Sequence, residues 1–162
     1  MHATREELLS RLDALGIRST TVDHPPVFTV DESKRLRGTL PGGPCKSLFL
    51  KDKKDVLWLV VALEDRPIDL KELRHRIGAA NLSFGKPELL LQVLGVEPGS
   101  VTPFGLINDR ERRVNVVLDK GMMAMECLNY HPLTNRATTT VSPADLLKFI
   151  KACGHEPREI EL

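Results

Sequence analysis

Val56-Leu57-Trp58-Leu59-Val60-Val61-Ala62-Leu63 is apolar at every position. A strand with one face in water alternates apolar and polar side chains, so an unbroken run of this length reads as a central strand covered on both faces. Lys46 to Leu50 is apolar-rich as well, and the charged segment Lys51-Asp52-Lys53-Lys54-Asp55 between the two reads as a hairpin turn.

Helices are expected around this hairpin. Thr4-Arg5-Glu6-Glu7 is a capping box, followed by Leu8, Leu9, Leu12 and Leu15 on one helical face and Gly16 as the stop. Asp69 begins a second helix that runs to about Ile77. Lys86-Pro87-Glu88 begins a third, with Leu89, Leu90 and Val93 inward and Gly95 after it. Ser142-Pro143-Ala144-Asp145 caps a last one carrying Leu146, Leu147, Phe149 and Ile150. A short helix is expected at Asp31 to Leu36, and Leu40-Pro41-Gly42-Gly43-Pro44 reads as a loop. Strands are expected at Ser19 to Val22, Val114 to Leu118, Cys127 to Tyr130 and Thr138 to Val141. The sum is an α/β (α+β) fold: a mixed, mainly antiparallel sheet with surrounding helices, in a single domain spanning residues 1–162.

A net charge of +1 carries no bulk field of the kind a duplex-DNA binder uses, although it leaves room for a local basic patch at one end of an RNA. Three cysteines, Cys45, Cys127 and Cys153, form no CxxC pair and fit reduced thiols in a cytoplasmic protein. The acidic start has no long apolar run, so neither a signal peptide nor a membrane partner is expected. Phosphate-loop, dinucleotide, HExxH and nucleophile-elbow motifs are missing, and the histidines and cysteines show no ligand spacing. No metal or nucleotide cofactor is expected.

Three segments remain as site candidates. Gly42 to Ser47 reads as a flexible loop feeding a strand that begins with Lys46, an anion-binding group beside main-chain N–H donors; a solvated lysine is the plain alternative. Glu97 to Asp109 concentrates Gly99, Pro103 and Gly105, residues that let the backbone approach a ligand or merely punctuate turns. His131, locked by Pro132 and followed by Asn135 and the hydroxyl-rich run Thr138-Thr139-Thr140, suits a pocket for a small polar acyl group; a structural histidine is the alternative. Cys45 reads as a small buried residue before it reads as a nucleophile.

Lys46 with Leu48 to Lys54, Leu82-Ser83-Phe84-Gly85, Gly99-Ser100-Val101-Thr102-Pro103, Phe104 to Asp109, and His131 to Asn135 with Ala137 to Thr140 together resemble the YbaK/prolyl-tRNA editing family over nearly the whole chain. The last two motifs resemble most the branch that deacylates alanyl-tRNA for proline. One departure is Ser47, where members often carry Asn after the site lysine; Ser retains a hydroxyl and its N–H.

The resemblance implies a trans-editing deacylase that hydrolyses mischarged alanyl-tRNA for proline. A synthetase site built for proline rejects a smaller apolar residue by only about 1–3 kcal/mol, so a second pocket must remove the error. By carry-over, Lys46 holds the phosphate or ribose end of the acceptor strand, and donors around Ser47 and Gly105 bind the ester carbonyl. The Gly99–Pro103 loop shapes the pocket with Asn135 nearby, and His131 excludes larger residues. Mischarged tRNA for proline is the implied partner, with prolyl-tRNA synthetase as a transient one. The alternatives are cysteinyl-tRNA deacylation, a pocket near Val27, Phe28 and His131 deciding between the two; a hydrolase of free small esters; and a binding module using Lys34, Arg35, Arg37, Lys51, Lys53 and Lys54.

Overall fold

Local signals start and stop most helices of the computed structural model, which describes residues 2–25 and 42–162. The Thr4 hydroxyl accepts the Glu7 N–H at 3.2 Å and the Glu7 carboxylate accepts the Thr4 N–H at 3.1 Å, so α1 (Arg5–Ala14) begins at the capping box. After it come β1 (Thr20–Asp23), β2 (Gly43–Asp52) and β3 (Leu57–Leu63). The Asp69 carboxylate caps α2 (Leu70–Ile77), and β4 (Leu82–Phe84) leads into α3 (Pro87–Leu94), with Pro in its first turn. A 3-10 segment (Pro103–Asn108) precedes β5 (Val114–Asp119), α4 (Lys120–Met123), β6 (Leu128–Tyr130) and β7 (Ala137–Val141). Ser142 caps α5 (Pro143–Ala152), and β8 (Arg158–Ile160) follows.

The strands form one eight-stranded sheet in the order β1-β7-β6-β2-β3-β5-β8, with β4 added on β2. Pairing is antiparallel at β1–β7, β6–β7, β2–β3 and β2–β4, and parallel at β2–β6, β3–β5 and β5–β8. The fold is therefore the expected mixed sheet. β3 lies between β2 and β5, with Leu57 to Ala62 buried.

Strand alternation divides the core. Phe49, Leu57, Leu59, Val61, Leu128 and Tyr130 face a layer built from α1, α3, the 3-10 segment and α5. Leu50, Trp58, Val60 and Val117 face the other way, against Leu73 and Ile77 of α2. Burying one such side chain contributes roughly 1.5–3 kcal/mol, which is why β3, loaded on both faces, anchors the sheet.

Several elements depart from the sequence expectation. Gly43 and Pro44 belong to β2 rather than to a loop: Gly43 donates its N–H to Cys127 O at 2.8 Å, and Pro44 accepts from Glu64 N at 2.9 Å. Pro44 is tolerated because it precedes the ladder with β3, which starts at Cys45 opposite Leu63. The strands β4 and β8, the 3-10 segment and α4 are too short to announce themselves by periodicity. The helix expected at Asp31 to Leu36 lies outside the described residues, as do Val27, Phe28, Lys34, Arg35 and Arg37.

Candidate active site

β2 has a break in its pairing. On one edge β3 pairs with it continuously from Cys45 to Lys51. On the other edge β6 pairs with Gly43 and Pro44 and β4 with Leu50 to Asp52, so among the described residues no strand covers the stretch between them. Gly43 N–H reaches Cys127 on this open edge and Phe49 O accepts Gly85 N–H there at 2.9 Å. Main-chain groups alternate along a strand, so the N–H and C=O of Ser47, which shares their parity, also turn to the open edge.

The same parity sets the side chains. Lys46 lies on the face of Leu48 and Leu50, the face opposite Cys45 and Phe49. Asn129, level with Pro44 in the parallel ladder, shares that face, and Thr140 opposite Asn129 donates its hydroxyl to the Asn129 amide oxygen at 2.6 Å. Thr138 follows by alternation. Lys46 and the threonine-lined end of β7 thus lie on the same face of the sheet, on either side of the open edge.

The Lys46 ammonium donates to the main-chain carbonyl of Arg66 at 2.5 Å. Arg66 is itself tethered, its Nε 3.3 Å from the fully buried Asp119 carboxylate, which also accepts the Leu63 N–H at 3.2 Å. An ammonium has three donors, so the Arg66 bond leaves Lys46 two for an anion.

His131 follows β6, and its Nδ1 lies 3.3 Å from the Ala137 carbonyl. A carbonyl only accepts, so Nδ1 carries the proton and Nε2 keeps its lone pair. Burial holds the imidazole below its ordinary pKa; the Ala137 bond works against that and nearby His24 adds to it. His131 is therefore neutral at physiological pH. Asn135 is half-buried in the connection between β6 and β7.

His24, just past the end of β1, reaches the threonine-lined end of β7. Its Nδ1 is 2.8 Å from the Pro25 carbonyl and its Nε2 is 2.9 Å from Thr138 Oγ1. Nδ1 therefore donates to Pro25, and Nε2 pairs with the Thr138 hydroxyl. No signal in the sequence singled His24 out, because its position depends on β1 pairing with β7 and strand partners are not written in either segment.

The Gly99–Pro103 loop enters from the opposite layer. Pro103 and Phe104 are buried, and the Phe104 ring packs edge-on to Tyr130, the residue before His131, with centroids 5.9 Å apart. Gly105 packs on α3, since a Cβ there would meet Leu94 at 3.0 Å, and its N–H is spent on the Thr102 carbonyl at 3.1 Å. That leaves Ser47 rather than Gly105 with a main-chain donor turned to the open edge.

The Cys45 thiol donates to Gly43 O at 3.3 Å, and burial pushes its pKa up to about 12. Such a thiol is a poor nucleophile. Cys45, Cys127 and Cys153 are all free. Among the described residues no helix is long and apolar enough to cross a membrane. A cavity of about 460 Å³ between α1, the 3-10 segment and α5 takes Leu106, Ile107 and Asp109 from the Glu97 to Asp109 segment but none of Lys46, Ser47, Gly99, Pro103, Gly105, His131 or Asn135.

Known proteins share this chain's sequence pattern and fold. Residues 24–149 match the aminoacyl-tRNA editing domain. The chain is 44% identical over 158 residues to prolyl-tRNA synthetase associated domain-containing protein 1 of Danio rerio, covering 94% of this chain and 84% of that one. It is 38% identical over 159 residues to the prolyl-tRNA editing protein ProX of Acetoanaerobium sticklandii, covering 98% and 97%. The crystal structure of a candidate trans-editing enzyme for prolyl-tRNA synthetase superposes with a TM-score of 0.74 at 19% identity, over 100% of this chain and 99% of that one, a likeness of fold. The family match spans residues 24–149 and the two relatives align over nearly all of the chain, and the protein belongs to the aminoacyl-tRNA editing domain family.

Proposed function

We propose that this protein removes alanine mistakenly esterified to tRNA for proline, by hydrolysis of the ester in the slot between β6 and β4. The observation that carries the reading is the open edge of β2 between β6 and β4, where the Ser47 main-chain donor turns outward next to Lys46 in the strand, with a neutral histidine directly after β6. Lys46 takes a phosphate or the ribose end of the acceptor strand. The Ser47 N–H receives the ester carbonyl oxygen and holds the negative charge that develops on it as water attacks the carbonyl carbon. Collapse of the tetrahedral intermediate breaks the acyl C–O bond. The ribose oxygen takes up a proton and alanine leaves as its carboxylate. The ester is already activated, so orientation and charge stabilisation supply the barrier reduction without a covalent enzyme intermediate.

His131 forms the wall of the acyl pocket. Its Nε2 lone pair accepts a hydrogen bond from the α-ammonium of the aminoacyl group, and its ring, held by Ala137, blocks a proline ring. The threonine-lined end of β7 completes a small polar surround. The similarity to prolyl-tRNA editing proteins supports tRNA for proline as the carrier, and transient association with prolyl-tRNA synthetase follows from where its errors arise. We place the protein in the cytoplasm on the same ground.

The test is loss of ester from purified tRNA for proline charged with alanine, cysteine, serine or proline. Fastest hydrolysis of the alanyl ester with the prolyl ester spared supports the reading. Fastest hydrolysis of the cysteinyl ester moves the substrate, and hydrolysis of free alanyl esters at equal rate removes tRNA from it.

A further inference from the structure

Phe84 is 63% exposed, the most exposed large apolar side chain among the described residues. Its direction is fixed by its neighbour. A Cβ on Gly85 would meet the Phe49 ring at 2.3 Å, so only glycine allows the chain to close onto Phe49, and the Gly85 N–H to Phe49 O bond of 2.9 Å locks that approach. Phe49 belongs to the large core, so Phe84, paired with Leu50, projects on the other face. That is the face of Lys46 and Leu48. β4 therefore presents an aromatic ring at the far end of the open edge on which Lys46 sits.

We propose that Phe84 is a stacking platform for an unpaired base at the acceptor end of the tRNA substrate; this rests on the function proposed above. Lys46 and Leu50, level with Phe84, are four residues apart on β2, a rise of about 13 Å, short enough for the unpaired end of one strand to bridge. The surroundings fit a polyanion: Lys53, Lys54 and Lys86 are exposed beside the β2–β3 turn and the start of α3, with Asp55 engaged by Lys51 at 3.2 Å. An exposed aromatic beside cations is the arrangement by which proteins grip single-stranded nucleic acid, because every base has a face to stack. No core role competes for the residue, since most of the ring is in solvent.

The test combines kinetics and fluorescence on Phe84→Ala, Phe84→Leu and Phe84→Trp. In single-turnover deacylation, Phe84→Ala and Phe84→Leu are expected to raise the half-saturating protein concentration about tenfold or more, with the rate at saturation unchanged, and Phe84→Trp to restore wild-type behaviour. Leucine separates stacking from simple apolar contact. In parallel, uncharged tRNA with 2-aminopurine in its unpaired end is titrated with each protein, which reads the contact without hydrolysis. Quenching by wild type and Phe84→Trp but not by Phe84→Ala supports the platform. Equal quenching and equal half-saturation for wild type and Phe84→Ala overturn it. If wild type hydrolyses no mischarged tRNA, the proposed function fails, and the quenching experiment still decides the role of Phe84.

Discussion

Lys46 is held in place by the main-chain carbonyl of Arg66, 2.5 Å from its ammonium, and Arg66 is anchored by the buried Asp119. A flexible side chain is thereby oriented before any ligand arrives, which lowers the ordering cost of binding.

Lys46→Ala is expected to lower deacylation by at least about tenfold while leaving the thermal midpoint nearly unchanged, since one half-exposed hydrogen bond contributes about 1 kcal/mol. Wild-type activity should fall as salt rises, because a lysine–phosphate contact releases counterions. Full activity in a folded Lys46→Ala protein would remove the lysine from the site.

His131 controls size. Proline carries additional methylenes, each worth about 0.8 kcal/mol on burial, so attraction alone favours the wrong ester. His131→Ala should slow alanyl-tRNA hydrolysis and narrow the alanyl-to-prolyl rate ratio by about tenfold. Equal slowing of both esters would instead indicate a base.

The pH profile follows from the direction of the His131 shift. Its folded pKa lies below the ordinary value of about 6.5. Between the two values the unfolded chain binds more protons, so this group's contribution to stability is present above about pH 6.5 and is lost as pH falls towards the lowered value. Activity that needs neutral His131 should hold through pH 6.5 and decline only below it. A midpoint above 6.5 would contradict the neutral assignment. His24→Ala, which removes the partner of Thr138, should shift this midpoint upward by relieving the charge that His24 places near His131.

Thiol chemistry is not needed. With its pKa near 12, Cys45 is thiolate in only about one molecule in 10⁵ at neutral pH. Cys45→Ala should retain turnover, read as the single-turnover rate, and show at most the modest loss of melting temperature that a small cavity brings.

Asp52 carries the turn between β2 and β3. Burial opposes its charge, but N–H donors from Val56, Lys54 and Ala80 outweigh that and hold its carboxyl below the ordinary range. Asp52→Ala strands these donors and should cost about 1–3 kcal/mol or more in denaturant unfolding. The wild-type contribution is present above the ordinary carboxylate value and is lost as pH falls through the lowered one.

Signals confined to a few residues were legible in the chain. The Thr4–Glu7 box, Asp69 and Ser142 cap helices because a side chain reaches an N–H within three residues, whatever the rest of the molecule does. The uninterrupted apolar run of β3 announced two covered faces, since no other placement hides it from water. The resemblance in the Lys46 and His131 motifs pointed to the family. Pairing was not legible. β4 and β8 are three-residue strands that exist because an edge of β2 or β5 was left to receive them, and Pro44 is a strand residue because β3 ends opposite Cys45. His24 joins His131 only because β1 adds to β7. Parity can be counted along any strand, but which face becomes a site depends on which strands stop short. Only the tertiary structure decided that, by ending β6 and starting β4 on either side of Ser47, because hydrogen bonds between strands are satisfied by distant segments and carry no mark in the local sequence.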